Sequence, residues 1–105
     1  MGDVKVLVDG TIANNKVAIF SKTGCPYCEK AKKTLSKYVG GLIPANQYAV
    51  VEIAELPNCS QIQDYLQQLT GGRTVPKVFI KQKFVGGGDD VVAKDQSGEL
   101  KALLA

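Results

Sequence analysis

The chain has no histidine and no tryptophan, and its 105 residues include only three cysteines, one methionine and four prolines. Each shortage excludes something. Without imidazole, the commonest general base at neutral pH and the commonest zinc ligand are both missing. Three cysteines are an odd number and too few for a disulfide framework, and they fall short of the about four ligands that a structural zinc site takes. No run approaches the ~18 consecutive apolar residues that span a bilayer, so no membrane association is expected. The opening MGDVKVLVDG has no apolar core ending in small residues, and no Ser or Thr four positions after Gly2. It therefore reads as neither an export signal nor a myristoylation site, and the expected compartment is the cytosol. Basic runs never exceed two residues and the net charge is only +3, which is too dispersed for a nucleic-acid partner but suits a small anion where a few cations converge.

What remains is ordinary: 45% hydrophobic and 22% charged residues over a length that makes one domain, residues 1–105. Val4, Leu7, Val8 and Ile12 fall at helical spacing until Asn14-Asn15 breaks the pattern. KVAIF (16–20) reads as a buried strand. Pro26 fits the first turn of a helix whose stripe is Ala31, Leu35 and Tyr38, and Gly40-Gly41 ends it. YAVVEI (48–53) is the next strand. Asn58 with Gln61 three residues on resembles a capping signal for a helix bearing Ile62, Tyr65, Leu66 and Leu69 and closed by Gly71-Gly72, with Leu66 and Leu69 expected in the core. KVFI and KFVG around Lys81-Gln82-Lys83 read as a hairpin. GGGDD turns into a short helix near Asp89, and Ser97 is expected to cap a last helix carrying Leu100, Leu103 and Leu104. Strands alternating with helices before a terminal hairpin imply an α/β fold with a mixed sheet, helices on both faces.

TGCPYCEKAKK (23–33) places Cys25 and Cys28 three residues apart where a strand gives way to a helix. A lone cysteine is often an inert core residue; a pair at such a junction has a redox mechanism available. Cys25 at the N-cap or first turn would meet unpaired N–H groups and the positive end of the helix dipole. Lowering a thiol pKa from ~8.5 by ~3 units takes ~4 kcal/mol. The dipole supplies at most ~2 kcal/mol, so N–H donation to the sulfur and the nearby cation Lys22 are expected to supply the rest. Cys28, one turn further in and less exposed, is placed to resolve a mixed disulfide on Cys25. Cys59 is expected to have no catalytic role, and Lys30, Lys32, Lys33 and Lys37 read as a solvated helix face.

KTGCPYC, followed by IQDYLQQLTGGRTVPKVFI and GGGDD, resembles the dithiol glutaredoxins, or thioltransferases, of the CPYC type, from about residue 3 to the C-terminus. The resemblance implies a thioredoxin fold, with a four-stranded mixed sheet flanked by helices on both faces. It also implies a glutathione-dependent thiol–disulfide oxidoreductase, with glutathione as co-substrate, no metal, and glutathionylated proteins and small disulfides as partners of a monomer. Cys25 would attack the glutathionyl sulfur and Cys28 would serve protein disulfides. The implied glutathione site has Lys22, Gln63 and Arg73 at the glycyl carboxylate, with Tyr27 along that side. A cis Val75–Pro76 bond would turn the Val75 backbone to the cysteinyl part, backbone N–H groups of Gly88 and Asp89 would meet the γ-glutamyl carboxylate, and Thr74, Pro76 and Gly87 complete the implied site. Where the family usually has a small hydroxyl residue stands Asp89, followed by Asp90. Alignment favours Asp90 for the ammonium of the ligand, and Asp89 is equally readable as an N-cap. The alternative within the family is a carrier of a [2Fe–2S] cluster between two protomers, which Pro26 disfavours by stiffening and crowding the turn. A thioredoxin proper would carry WCGPC, and this chain has no tryptophan.

Overall fold

In the computed structural model, which describes residues 2–105, the segment Val17–Ser21 (β1) is buried along its whole length, as a strand covered on both faces must be. Around it run α1 (Gly2–Asn14), α2 (Pro26–Ser36), β2 (Tyr48–Glu52), α3 (Cys59–Thr70), β3 (Lys77–Ile80), β4 (Lys83–Gly86), α4 (Gly88–Ser97) and α5 (Glu99–Leu104). The sheet order is β2-β1-β3-β4. β1 pairs parallel with β2 (Val17 with Tyr48 through Ser21 with Glu52) and antiparallel with β3, which pairs antiparallel with β4. This is the mixed four-stranded sheet of the thioredoxin fold. No helix among the described residues is long and apolar enough to cross a membrane.

The period-2 alternation of the strands divides the core in two. Val17, Ile19, Val78 and Ile80 face Ala31 and Leu35 of α2, Val91 of α4, and Leu100 and Leu104 of α5. Ala18, Phe20 and Phe79 face Val4 and Val8 of α1 and Ile62 and Leu66 of α3, with Ile53. Phe20 and Phe79 meet edge-on with centroids 5.9 Å apart, an arrangement favoured by the ring quadrupoles.

Several boundaries differ from the expected ones. β1 begins at Val17 and takes in Ser21, because Ser21 keeps register with Glu52. β2 stops at Glu52, and Ile53 turns inward in a single 3-10 turn to fill the α1/α3 core. α2 ends at Ser36, so Tyr38 lies past its end; the Tyr38 carbonyl accepts the N–H groups of Gly41 (3.1 Å) and Ile43 (2.9 Å), and this turn closes the helix before Gly40. Asn58 is the N-cap of α3, but its side chain makes no capping bond. Leu69 is 43% exposed: α3 docks through Ile62 and Leu66, and by Leu69 the helix has emerged beside a cleft formed with α1 and the hairpin. Ser97 ends α4 and Gly98 occupies the cap position of α5, with the Ser97 hydroxyl accepting the Glu99 N–H at 3.3 Å.

Candidate active site

Cys25 is the N-cap of α2, in extended conformation (φ −88°, ψ 117°), and Pro26 follows in the first turn, where its missing N–H costs nothing. The Cys25 Sγ is half-buried and lies 3.9 Å from the Val75 carbonyl oxygen. Burial is the largest single influence on its ionisation and acts upward. It is outweighed by hydrogen bonds from the Cys28 thiol and from the backbone N–H groups of Cys28 and Tyr27, with Glu29 opposing, so the thiol ionises below its ordinary range. The Lys22 ammonium, expected beside this sulfur, is not among the leading influences on it. Lys22 contributes its backbone instead: its carbonyl accepts the Cys25 N–H at 3.3 Å and its N–H donates to Cys28 Sγ at 3.4 Å.

Cys28, one turn into α2, is fully buried. Desolvation pushes its thiol up; the Lys22 N–H works against this and the neighbouring Cys25 adds to it, and the outcome is a pKa above the ordinary thiol value. Two thiols on one helical turn thus diverge in opposite directions, which is how environment assigns different roles to like groups.

Beside the pair opens a groove of about 450 Å³, lined by Tyr27, the Thr74–Lys77 segment, Phe84 and the turn Gly87–Asp90. The Val75–Pro76 peptide is cis. On the opposite wall the start of α4 meets the start of α2 without any side chain between them. A Cβ on Gly88 would stand 2.4 Å from the Tyr27 carbonyl oxygen, and one on Gly86, whose φ is +130°, 2.5 Å from an Asp90 carboxylate oxygen. The N-cap of α4 is Gly87, not Asp89. Asp90, at the third helical position, reaches back and accepts the Gly87 N–H at 2.9 Å, the carboxylate half of a capping box. Asp89 is exposed and pairs with Lys30 at 3.3 Å.

The remaining candidates stand apart from this groove. The Gln63 side-chain amide donates to the Arg73 carbonyl at 3.2 Å, and the Arg73 guanidinium pairs with Asp64. Gln63 therefore holds the strand leading into Thr74, and Arg73 has a counter-ion in hand. Cys59 begins α3 half-buried, with its thiol 3.8 Å from Gln63 Oε1. The α2 lysines are more engaged than a solvated face implies: Lys30 pairs with Asp89, Lys32 with Glu29 and Glu52, and Lys37 with Asp95.

Two residues of the site escaped the sequence reading. Lys77, only 7% exposed, lines the groove with its ammonium 3.4 Å from the Thr74 hydroxyl and 5.6 Å from the Phe84 ring centroid; desolvation lowers its pKa. A lysine inside the otherwise apolar VPKVFI was the available signal. Ser21, buried at the end of β1, is the other.

A low-pKa thiol at a helix mouth, a buried partner one turn behind it and an adjoining groove define a thiol–disulfide oxidoreductase site on a thioredoxin fold. Comparison with known proteins narrows the class. The family model described as Glutaredoxin matches residues 17–85. Glutaredoxin-1 of Bos taurus is 45% identical over 102 residues, spanning 95% of this chain and 92% of its own. Oxidized glutaredoxin 2 from Chlamydomonas reinhardtii superposes with a TM-score of 0.87 at 44% identity, over 98% of this chain and 92% of that one. A buckwheat glutaredoxin–glutathione complex gives 0.84 at 34% identity, over 98% and 88%. The chain belongs to the glutaredoxin family, and as a member it is a glutathione-dependent thiol–disulfide oxidoreductase.

Proposed function

We propose that this chain is a dithiol glutaredoxin of the CPYC type that reduces glutathione mixed disulfides on proteins and small thiols through Cys25, with Cys28 serving protein disulfides. The Cys25 thiolate attacks the glutathionyl sulfur, forming a Cys25–glutathione disulfide while the substrate leaves as a thiolate and takes a proton from water. A glutathione thiolate then attacks the glutathione sulfur of this adduct. Cys25 leaves with the electron pair, and oxidised glutathione departs. A low pKa makes Cys25 less nucleophilic but a better leaving group, which suits a sulfur that must be attacked as well as attack. On the dithiol route Cys28 attacks Cys25 and expels the second half of the substrate, and two glutathiones reduce the resulting Cys25–Cys28 disulfide.

The groove offers glutathione what its chemistry asks for. The Val75 backbone would pair with the cysteinyl part as an added strand does. Thr74, Pro76 and Tyr27 shape the walls, and N–H groups at Gly88 and Asp89 face the γ-glutamyl carboxylate at a helix start, beside Gly87. Asp90 takes the ammonium while keeping its bond to Gly87. Lys22, Gln63 and Arg73 meet the glycyl carboxylate, for which Arg73 exchanges its pairing with Asp64.

The observation that carries this reading is the opposite displacement of the two thiols, set at the edge of a groove with backbone donors at its far end. It is tested by turnover of a glutathionylated peptide with the wild type, Cys25→Ser and Cys28→Ser. Activity is expected to vanish in Cys25→Ser and to persist in Cys28→Ser, which loses the reduction of protein disulfides. Turnover surviving in Cys25→Ser would overturn the assignment.

A further inference from the structure

Ser21 is the one described residue with a fully buried side-chain oxygen that has no hydrogen-bond partner. Such a hydroxyl carries a desolvation cost unless something accepts its hydrogen. By strand alternation its side chain leaves β1 on the face covered by α2, the same face as Val17 and Ile19. Cys28, equally buried, belongs to the helix that covers that face, and the Ser21 hydroxyl is among the groups that favour ionisation of its thiol. The next residue in the chain, Lys22, already directs its N–H to the same sulfur at 3.4 Å. The end of β1 therefore brings a backbone donor and, one residue earlier, an unpartnered hydroxyl to the side of a buried sulfur.

We propose that Ser21 is a positioning residue for the resolving step: its O–H donates to Cys28 Sγ and stabilises the thiolate that closes the Cys25–Cys28 disulfide. In that step Cys28 loses its proton to solvent and its sulfur attacks Cys25 Sγ. The bond between Cys25 and the bound thiol breaks, and that thiol leaves with the electron pair. The oxidation of the two cysteines balances the two-electron reduction of the substrate disulfide. A buried thiol resists the required ionisation, and among the described residues no cationic side chain is a leading influence on it. Cys25 on the same helix raises the Cys28 pKa further; the Asp89 and Asp95 carboxylates of α4 are held by Lys30 and Lys37, and Glu29 by Lys32. Among the described residues, the neutral groups that favour ionisation of Cys28 are the Lys22 N–H and the Ser21 hydroxyl.

This inference rests on the resolving role proposed for Cys28, and one experiment separates the two. Cys25 is loaded stoichiometrically with glutathione, and release of glutathione thiol is followed in a single turnover from pH 5 to pH 10. Release from the wild type supports the resolving role; its absence there overturns that role and the Ser21 inference with it. With release established, Ser21→Ala is expected to move the pH midpoint up by about one unit and to slow release about ten-fold at neutral pH, while Ser21→Thr restores both. Ser21→Val, which matches Thr in shape but lacks the hydroxyl, provides the same contrast if the alanine chain fails to fold. Equal midpoints in Thr and Val chains, or slowing by the same factor at every pH, would show that residue 21 only fills space and would overturn the inference.

Discussion

Cys25 and Cys28 sit on one turn of one helix, yet they occupy different solvents. At the mouth of α2, Cys25 is half-open and collects first-turn N–H groups; one turn inward, Cys28 is closed off from water beneath the sheet's end. Desolvation pushes both thiols up. What separates them is the number of donors left to answer it, and only at the helix mouth does the donor side win. The lesson is that the dipole of α2 is shared by both residues and so cannot explain the difference; the hydrogen bond that the Cys28 thiol gives to Cys25, and after it the first-turn N–H groups that reach an N-cap sulfur, do explain it.

The most severe way to break this comparison is to remove the open thiol. Cys25→Ser should lower deglutathionylation by on the order of 10³-fold or more, since the hydroxyl does not ionise at neutral pH; a loss of under ten-fold in a steady-state assay would place the nucleophile elsewhere. Removing the buried thiol should separate the two routes. Cys28→Ser is expected to keep deglutathionylation within a few-fold of wild type and to lose protein-disulfide reduction, measured side by side on a glutathionylated peptide and on a protein disulfide.

A pH series sharpens the comparison without mutating the donors. Iodoacetamide should alkylate Cys25 with a midpoint below the ordinary thiol range, and should reach Cys28 only above it. The same shifts give a sign for stability. Cys25 has a lowered folded pKa, so its contribution is present above the unfolded thiol value and is lost as pH falls through the folded one. Cys28 has a raised folded pKa, so its contribution is present below the unfolded thiol value and is lost as pH rises through the folded one. Urea midpoints of the wild type should therefore drop on the alkaline side more steeply than those of Cys28→Ala, and parallel curves would contradict the burial account. The smallest expected effect is that of Glu29→Gln. Glu29 opposes ionisation of Cys25, so its neutralisation should lower the alkylation midpoint of Cys25 by about a quarter of a unit at low salt and leave Cys28 unmoved.

Local rules made the Cys25 end legible in the sequence. A proline suited to the first helical turn puts the cysteine before it at or near an N-cap, and a short apolar run marks the central strand. What escaped were contacts between residues far apart in the chain. Nothing near Gly88 says that a side chain there would strike Tyr27, and nothing in KVAIFS says that the serine hydroxyl is buried without a partner. Lys22 illustrates a subtler failure. A cation next to a reactive thiol invites a Coulombic role, but the folded chain uses its N–H on the other cysteine. Leu69 fits the apolar stripe of α3 by spacing and still emerges at the surface, because a spacing rule gives a face but not where the neighbouring elements stop covering it. The Asp89–Asp90 pair divides for an equally local reason: Asp90, at the third position of the helix, bends back to the Gly87 N–H, which leaves Asp89 to Lys30.

The bare backbone at Gly88 acts as a gauge between the starts of the two helices that border the groove. Its width is set by atoms that are not there, and it cannot be widened or narrowed by trading one side chain for another at that position. A descendant that acquired even a methyl group at residue 88 would have to shift a whole helix to go on accepting the same guest.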